Sequence, residues 1–428
     1  MSARQLLLTA SLGVVVLSSR PARSQAPAYC PDVAPILQTH CIVCHRAGEI
    51  GPMALTSYAE ARRSAAAIAA ATTKRAMPPW FANPAVGHWA NDPSLSSAEI
   101  RTLAAWAARG APPGGGSCPP PANSKSIWNI APPQAVVTMP RAVSIPARGE
   151  VAYTYEIVPT GWRHDRWVQM AEARPSARSH VHHAVIYVRP PGSSWLKGAP
   201  VGMPFTAATL GVSRATLWTD SDVLLVYAPG SAPEAWPATR GKLIPAGSDL
   251  VFQMHYTTDG HAAADQTQIG LVFNSAPPAE QVLTLQLTND RFVIPPGVSN
   301  FRVEAHGSLP GDATLLSFFP HMHLRGERFE YNLIGPGGKP EPLLDVNWNF
   351  FWQRSYVLAK PLPLKAGTIL QAVAWYDNSR TNPHNPEPDV AVHWGDQTTD
   401  EMMVGFFDVA VPRGVDKWKY FAQRHPQP

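Results

Sequence analysis

The chain has 428 residues, enough for two or three domains that each bury a core of their own. Its formal net charge is only +4, and no basic run with interleaved aromatic residues occurs, so the composition does not favour a nucleic-acid partner. The sequence contains 45 prolines but only 15% charged residues, a balance more typical of turn-rich β structure than of helical bundles.

The N-terminus has the three parts of a secretory signal peptide. Arg4 provides a positive charge, residues 6–17 form an apolar stretch, and Ser24-Gln25-Ala26 offers small residues at a cleavage site. A membrane anchor is the alternative, but the apolar stretch is too short to span a bilayer, and no later segment reaches about 18 apolar residues. We therefore predict a signal peptide over residues 1–26 and a periplasmic or secreted mature chain with no membrane span.

Residues 27–118 are predicted to form a small all-α domain. The segment SYAE, residues 57–60, is a capping box that opens an alanine-rich helix through about Thr73. A second capping box, SSAE at residues 96–99, opens a helix that ends at Gly110. Both helices lie within the first third of the chain, and no strand-like pattern separates them.

The motif Cys41-Ile42-Val43-Cys44-His45 lies within this helical segment. It is the C-x-x-C-H of covalent c-type haem attachment, in which two thiols form thioethers and the histidine binds iron. A zinc site or a simple disulfide are the alternatives. The helical, exported context favours haem.

Two methionines compete for the sixth position on the haem iron. Methionine is a usual ligand in electron-transfer cytochromes, because its soft thioether raises the reduction potential. Met77 follows a helix on a proline-rich loop, where a ligand can reach over the haem. Met53 lies only a few residues beyond His45, so we predict that Met77 is the axial ligand and that Met53 packs.

The other two cysteines, Cys30 and Cys118, bracket the helical segment. In an oxidising compartment they are expected to pair and close it, with two free thiols as the alternative. The chain beyond Cys118 contains no thiol, so its stability must come from core burial without disulfides.

A proline- and glycine-rich stretch separates the helical segment from a second kind of sequence. We predict a linker over residues 119–135, because no regular element could cross it. Beyond it, short alternating runs bounded by Pro and Gly predict antiparallel sandwiches. A weaker break near residues 273–281 divides this region into two all-β domains, predicted over residues 136–277 and 278–428.

Histidines concentrate at a few strand-like positions of the β region. His182 and His183 are adjacent, so on an ideal strand they point to opposite faces and reach one metal ion only at a bend. A third ligand must then come from another strand, and His255 lies in the middle of one. His180 is interpreted as an outer or surface residue.

A second set combines His321 and His323, which lie on the same face of a strand at i and i+2, with Met402 at the head of a later strand. Two imidazoles and a thioether form a soft ligand set that suits copper better than zinc, whereas three imidazoles suit either metal. Met403 is the alternative to Met402.

The order of these blocks resembles a known family. VHHAVIYV, FQMHYTTDG, RFVIPPG, PHMHLRGERF, GTILQAVAWYDN and TTDEMMVGFFD run in the order found in the copper type II, ascorbate-dependent monooxygenases, which include peptidylglycine α-hydroxylating and dopamine β-monooxygenases. The resemblance covers about residues 150–412. The whole chain also resembles bacterial proteins that join a small cytochrome c to such a core.

The resemblance implies two copper ions in two jelly-roll-like domains that face each other across an open cleft. The electron-transfer copper would be held by one set and the catalytic, oxygen-binding copper by the other; the first set is His182, His183 and His255, and the second is His321, His323 and Met402. The implied reaction hydroxylates a C–H bond of a small organic substrate with O2. Electrons would come from an external donor through the haem, with ascorbate as a further reductant.

Some positions depart from the family pattern. Peptidylglycine hydroxylase uses an arginine two residues before its H-x-H pair to bind a carboxylate, and Phe319 stands there in this chain. Val404 and Phe406 replace two further polar substrate contacts. An amidated-peptide product is therefore not expected. The alternatives to a hydroxylase are a haem–copper protein that only transfers electrons or binds copper, and a metal-free β-sandwich with surface histidines.

Overall fold

A computed structural model of the protein describes residues 26–115, 118, 127–211, 222–335, 337–420 and 422–424. The predicted signal peptide, apart from Ala26, and residues 119–126 of the predicted linker lie outside the described residues. Strands account for 38% and helices for 12%, so the chain is mostly β, as predicted. Among the described residues, no helix is long and apolar enough to cross a membrane.

Most of the helices lie in the N-terminal segment. In chain order they are a π-helical turn (Tyr29–Val33), α1 (Ala34–His40), α2 (Tyr58–Arg63), α3 (Ala65–Thr73), α4 (Ser97–Ala108), α5 (Ala207–Leu210) and α6 (Lys417–Tyr420). Both predicted capping boxes are present, Ser57 with Glu60 and Ser96 with Glu99. The single alanine-rich helix was expected to be continuous, but Ser64 leaves helical geometry (φ −98°, ψ 5°) and divides it into α2 and α3.

The helical segment has its own core and a covalent closure. Its buried hydrophobic residues run from Tyr29 to Ala111 and include the fully buried Trp106, whose indole N–H donates to the carbonyl of Pro112 at 3.0 Å. Cys30 and Cys118 form a disulfide whose Cα atoms are 5.2 Å apart. The two ends of the segment are therefore joined, as an oxidising compartment favours.

The rest of the described chain consists mainly of strands and the loops between them. The strands are β1 (Ala135–Thr138), β2 (Val143–Ile145), β3 (Thr154–Pro159), β4 (Arg166–Arg174), β5 (Val181–Arg189), β6 (Asp222–Tyr227), β7 (Glu234–Ala235), β8 (Arg240–Ile244), β9 (Asp249–Tyr256), β10 (Ala263–Asp265), β11 (Gln268–Phe273), β12 (Glu280–Thr288), β13 (Val293–Ile294), β14 (Phe301–Ser308), β15 (Ala313–His321), β16 (Gly326–Ile334), β17 (Pro340–Asn347), β18 (Tyr356–Leu364), β19 (Ile369–Tyr376), β20 (Val392–His393), β21 (Val404–Pro412) and β22 (Ala422–Arg424).

These strands form one large sheet and several smaller ones. The nine-stranded sheet has the order β1-β11-β4-β8-β12-β21-β15-β18, with β7 paired to β4. A five-stranded sheet, β17-β16-β19-β14-β22, and a four-stranded sheet, β3-β9-β5-β6, accompany it, along with the pairs β10-β2 and β13-β20. The large sheet continues across the expected break, because β8 pairs in parallel with β12, Arg240 opposite Glu280 and Gly241 opposite Gln281.

Two large hydrophobic clusters lie on either side of this break. One cluster of buried side chains lies within residues 139–271, and another lies within residues 283–420 with the addition of Ala82. A smaller cluster of Trp236, Val282, Leu316 and Ala410 includes residues from both sides, so the two halves share part of their core as well as the sheet.

The helical segment contacts both halves of the β region. Glu49 pairs with Arg174 at 2.8 Å and with Arg178 at 3.0 Å, and all three side chains are largely buried. On the other side, the backbone N–H of Asn83 donates to the carbonyl of Asp345 at 2.8 Å, and Ala82 forms a bridge with Val346. These contacts place the C-x-x-C-H motif against the β strands.

A buried ionic group lies where the two halves share the large sheet. Lys242 on β8 is 5% exposed and Asp408 on β21 is 7% exposed, and their charged atoms are 3.6 Å apart. Thr284 donates to one Asp408 carboxylate oxygen at 2.5 Å and Ser317 donates to the other at 2.9 Å. The ammonium of Lys242 also donates to Thr284 at 2.8 Å.

Removing the acidic partner should destabilise this junction. We expect Asp408→Ala to lower the free energy of unfolding by about 3 kcal/mol, because Lys242 would stay buried without its partner at 3.6 Å, and burial raises the pKa of the other acidic neighbour, Glu234, to about 7. The double variant Lys242→Met, Asp408→Leu should recover most of the loss, since it removes both charges of the pair and lets Glu234 stay protonated. Urea denaturation followed by tryptophan fluorescence measures both. A single variant as stable as the parent would contradict the expectation.

Candidate functional site

A β-bulge lets two adjacent histidines share one side of a strand. The pairing of β5 with β9 shifts register between Val181 and His183, which leaves His182 as the extra residue. Such a bulge re-aims the side chain at its position. His183 lies directly opposite His255 of β9. The bend expected from the sequence is therefore present, and it brings the third histidine from the neighbouring strand.

His182, His183 and His255 form a group with the geometry to hold a metal ion. One ring nitrogen from each lies within 4.8 Å of the others, and all three residues are buried. Among the described residues, no other set of three or more His, Cys, Asp or Glu side chains is this close. Cys41, Cys44 and His45 are thus not part of a zinc-like cluster.

The Nδ1 atoms of this group face one another, and those of His182 and His183 lie within hydrogen-bond distance at 3.2 Å. Nε2–H of His182 donates to the carbonyl of Phe350 at 3.1 Å, and a carbonyl can only accept, so Nδ1 keeps its lone pair. Nε2 of His183 bonds the Tyr153 hydroxyl and Nε2 of His255 bonds the Thr398 hydroxyl, both at 3.2 Å. Nδ1 of His255 is buried without a hydrogen-bond partner, as expected of an atom that binds a metal.

In the second predicted pair, His321 and His323, the hydrogen-bonded ring nitrogen is Nδ1 and not Nε2. Nδ1–H of His321 donates to the side-chain oxygen of Gln353 at 2.8 Å, and Nδ1–H of His323 donates to the carbonyl of Asp400 at 3.3 Å. Nε2 of His323 is buried without a partner. Both imidazoles therefore present Nε2 as the free donor.

Met402 lies beside this pair. His321 pairs with Val404 at the start of β21, two residues beyond Met402, which is 7% exposed. The buried carboxylate of Glu401 accepts the backbone N–H groups of His323 at 2.9 Å and of Arg325 at 2.6 Å, which holds the two segments together. Burial raises the pKa of Glu401 to about 8.

Met403, the alternative to Met402, lies in the hydrophobic core of the second half. It is fully buried within the hydrophobic cluster of residues 283–420, whereas Met402 is not part of that cluster. Met402 remains the predicted thioether ligand, because Met403 is taken up by the hydrophobic core.

The two histidine sets lie in direct contact. The rings of His183 and His321 have centroids 5.4 Å apart, and those of His321 and His323 are 5.2 Å apart. The open cleft expected from the family resemblance is thus closed here. The five imidazoles form one histidine cluster, which consists of His182, His183, His255, His321 and His323.

Burial keeps these imidazoles neutral. It lowers the pKa of His182 and of His321 to about 4. The pKa values of the other three members are held well below the ordinary range of histidine, again mainly by burial. Neutral imidazole is the form that binds a metal ion.

The C-x-x-C-H motif lies on a separate cavity. This cavity has a volume of about 370 Å³, and Cys41, Cys44, His45 and Met77 all line it. Residues of the β region, among them Tyr227, complete the opposite wall. The predicted ligands are thus brought around one space between the helical segment and the strands.

The position of His45 fits a role as an iron ligand. Its Nδ1–H donates to the carbonyl of Met53 at 3.1 Å, which leaves Nε2 free. Met53 contributes only this backbone contact, is 37% exposed and does not line the cavity. Of the two candidate methionines, only Met77 does.

His180 lies apart from both sites. It is buried, and its Nε2 lies 3.0 Å from a carboxylate oxygen of Asp259 and 3.2 Å from the carbonyl of His261. It is not among the three histidines grouped on β5 and β9.

The sequence did not indicate the residues that hold the histidines in place. Phe350 stacks on His182 with ring centroids 4.1 Å apart, and Tyr153 stacks on His255 at 4.5 Å. Gln353 and Thr398 bond ring nitrogens from loops. No local pattern marks such residues, because their partners lie far away along the chain.

Comparisons with known proteins do not identify a family. No protein-family model matches this chain, and no curated protein matches it. A solved structure that aligns with it is titled "Structure of infectious bursal disease virus Gx strain", at 7% identity and a TM-score of 0.17, covering 69% of this chain and 85% of that chain. A likeness at this level carries no argument about fold or function.

Proposed function

We propose that this protein is a copper-dependent monooxygenase of the copper type II, ascorbate-dependent kind, joined to an N-terminal cytochrome c domain. The observation that carries the proposal is the histidine cluster, in which five buried, neutral imidazoles from three separated chain segments lie in contact and two of their ring nitrogens, Nδ1 of His255 and Nε2 of His323, have no hydrogen-bond partner. Such a cluster is costly without a bound ion, since buried polar atoms are otherwise hydrogen-bonded.

The donor sets fit two copper ions. His182, His183 and His255 would hold one through three imidazoles, and a second set, His321, His323 and Met402, would hold the other. The thioether of Met402 makes the second set soft, which suits cycling between Cu(I) and Cu(II). Nδ1 of His255 and Nε2 of His323 are the orphaned atoms that an ion would satisfy.

The proposed reaction is RH + O2 + 2 e⁻ + 2 H⁺ → ROH + H2O. Copper bound at these sites supplies dioxygen activation and electron transfer, and haem bound at Cys41, Cys44 and His45 supplies electrons singly. The protein's own groups position the ligands: Gln353 orients His321, and the carbonyl of Asp400 orients His323. Glu401 keeps His323 and Met402 on adjoining segments through its backbone hydrogen bonds.

The side chains next to the second set favour an apolar substrate. Phe319 lies two residues before His321 on β15 and pairs with Phe406 of β21, with ring centroids 6.3 Å apart. Neither offers a charge for a carboxylate, and the one cation beside them among the described residues, Lys242, is already paired with Asp408. We infer that the substrate is a small organic molecule bound through its apolar surface.

The same proposal covers architecture and location. The two β halves would be jelly-roll-like domains, with the electron-transfer copper in the first and the oxygen-binding copper in the second. The disulfide between Cys30 and Cys118 supports a periplasmic or secreted protein.

Copper-dependent oxidation of the haem by O2 tests the function. In protein loaded with haem and copper and then reduced, we expect O2 to oxidise the haem rapidly, and a suitable apolar substrate to yield a hydroxylated product carrying label from isotopic O2. Copper-free protein is the matched control. Haem oxidation without any labelled product from a broad metabolite extract would favour a haem–copper electron-transfer protein instead.

A further inference from the structure

One loop touches both the cavity and the histidine cluster. It consists of residues 348–355, between β17 and β18, and is called the bridging loop below. Trp352 and Arg354 line the cavity that holds the C-x-x-C-H motif. Phe350 and Gln353, which alternate with them, contact histidines. A stretch of five residues thus faces two sites in turn.

On the cavity side, the loop presents a buried cation that lacks an acceptor. Arg354 is 7% exposed, and its Nε has no hydrogen-bond partner among the described residues. Its guanidinium carbon lies 5.7 Å over the ring of Trp80, from the helical segment. A Cβ built on Gly230 would approach Nη1 of Arg354 to 2.7 Å, so the arginine is closely confined. A buried guanidinium with an unpaired N–H favours an acceptor, most strongly a charged one, and a haem carries two propionate carboxylates.

On the cluster side, the loop contacts one ligand from each set. The Phe350 ring stacks on His182 at an interplanar angle of 25°, and its carbonyl accepts the His182 Nε2–H. The Gln353 side chain accepts Nδ1–H of His321 at 2.8 Å and donates to the carbonyl of Phe350 at 3.4 Å. Covalent and hydrogen bonds therefore run without a gap from the cavity wall to both histidine sets.

We propose that the bridging loop conducts electrons from the haem cavity to the histidine cluster, with Arg354 binding a haem propionate at the entrance. This rests on the proposed function. Each step would carry one electron from a haem held at Cys41, Cys44 and His45, oxidising Fe(II) to Fe(III), to a copper ion held at the histidine cluster, reducing Cu(II) to Cu(I), with no proton transferred and no bond broken. An external one-electron donor then reduces the haem again, and two such steps supply the two electrons of one turnover.

The rate of copper-dependent haem reoxidation tests the path. The haem of oxidised, copper-loaded protein is reduced by a laser flash without O2, and its reoxidation is followed by absorbance. We expect Phe350→Leu and Gln353→Leu each to slow the copper-dependent phase several-fold. Phe351→Leu is the matched control, because Phe351 is 52% exposed and its ring contacts Phe350 but no cluster histidine.

Copper content, the Cu(II) EPR spectrum and the haem potential are measured in every variant. A slower copper-dependent phase in a loop variant that keeps the wild-type copper content and haem potential separates a conducting role from loss of a cofactor. An unchanged rate in both loop variants with copper retained would overturn the path and leave the hydroxylase proposal standing. Wild-type protein that transfers electrons from haem to copper but forms no hydroxylated product would support the path and contradict the hydroxylase proposal. A wild type that binds no copper or no haem overturns both.

The haem potential tests the part played by Arg354. Arg354→Gln removes a buried positive charge, which should stabilise ferric haem and lower the potential. Arg354→Lys keeps the charge and should keep most of the potential. Equal potentials in wild type and Arg354→Gln would show that Arg354 does not bind the propionate.

Discussion

Replacing His255 with alanine should reduce the copper content of the protein from two ions per chain to one. The change takes one of three imidazoles from the site formed with His182 and His183, whose ring nitrogens lie within 4.8 Å of one another. Losing a partner of a metal ligand already costs about 10–100-fold in affinity, so losing the ligand itself should cost at least about 100-fold. Elemental analysis after dialysis measures the ratio of copper to protein.

The complementary variant and a control make this result specific. His323→Ala should lose the other ion, because it leaves only His321 and Met402, while the three-histidine site keeps its copper. His261→Ala is the matched control, since that side chain is 85% exposed and contacts only Asp259. If His255→Ala and His323→Ala both keep two tightly bound copper ions, the assignment of the ligand sets is wrong.

Replacing Met77 with alanine should lower the reduction potential of the haem and remove the charge-transfer band typical of methionine-ligated ferric haem. Met77 lines the cavity together with Cys41, Cys44 and His45. A thioether favours ferrous iron, so its loss favours the ferric state. Potentiometric titration followed by haem absorbance gives the shift.

Met53 supplies the control for this prediction. Its side chain is partly exposed, and only its carbonyl contacts His45, so Met53→Ala keeps the backbone hydrogen bond and should leave the potential unchanged. The opposite outcome, with Met53→Ala lowering the potential and Met77→Ala having no effect, would exchange the two roles.

Local features of the fold were readable from the sequence. The capping boxes at Ser57 and Ser96 form as predicted, because a capping box depends on residues three apart. The break at Ser64 was not predicted, since serine interrupts an alanine-rich helix only in some surroundings. The abundance of strands followed from composition and alternation. The pairing of β8 with β12 across the predicted break did not, because parallel pairing leaves no local signal.

In the candidate site, too, the local geometry could be predicted from the sequence and the long-range contacts could not. The need for a bend at His182 followed from the two-residue period of a strand, and the bulge in β5 supplies it. The contacts that orient the imidazoles could not be foreseen. Phe350 lies 168 residues beyond His182, and Thr398 lies 143 residues beyond His255. Such pairs are set by how whole sheets pack.

The sequence by itself determined which donors are available and how neighbouring ones are spaced: the C-x-x-C-H motif, the adjacent histidines, the H-x-H pair and the methionine that follows Glu401. Only the tertiary structure decided that the two histidine sets touch and that the bridging loop reaches both them and the cavity. The physical reason is range. Chain geometry fixes the relative direction of side chains a few residues apart, whereas the distance between remote strands depends on the packing of every layer between them.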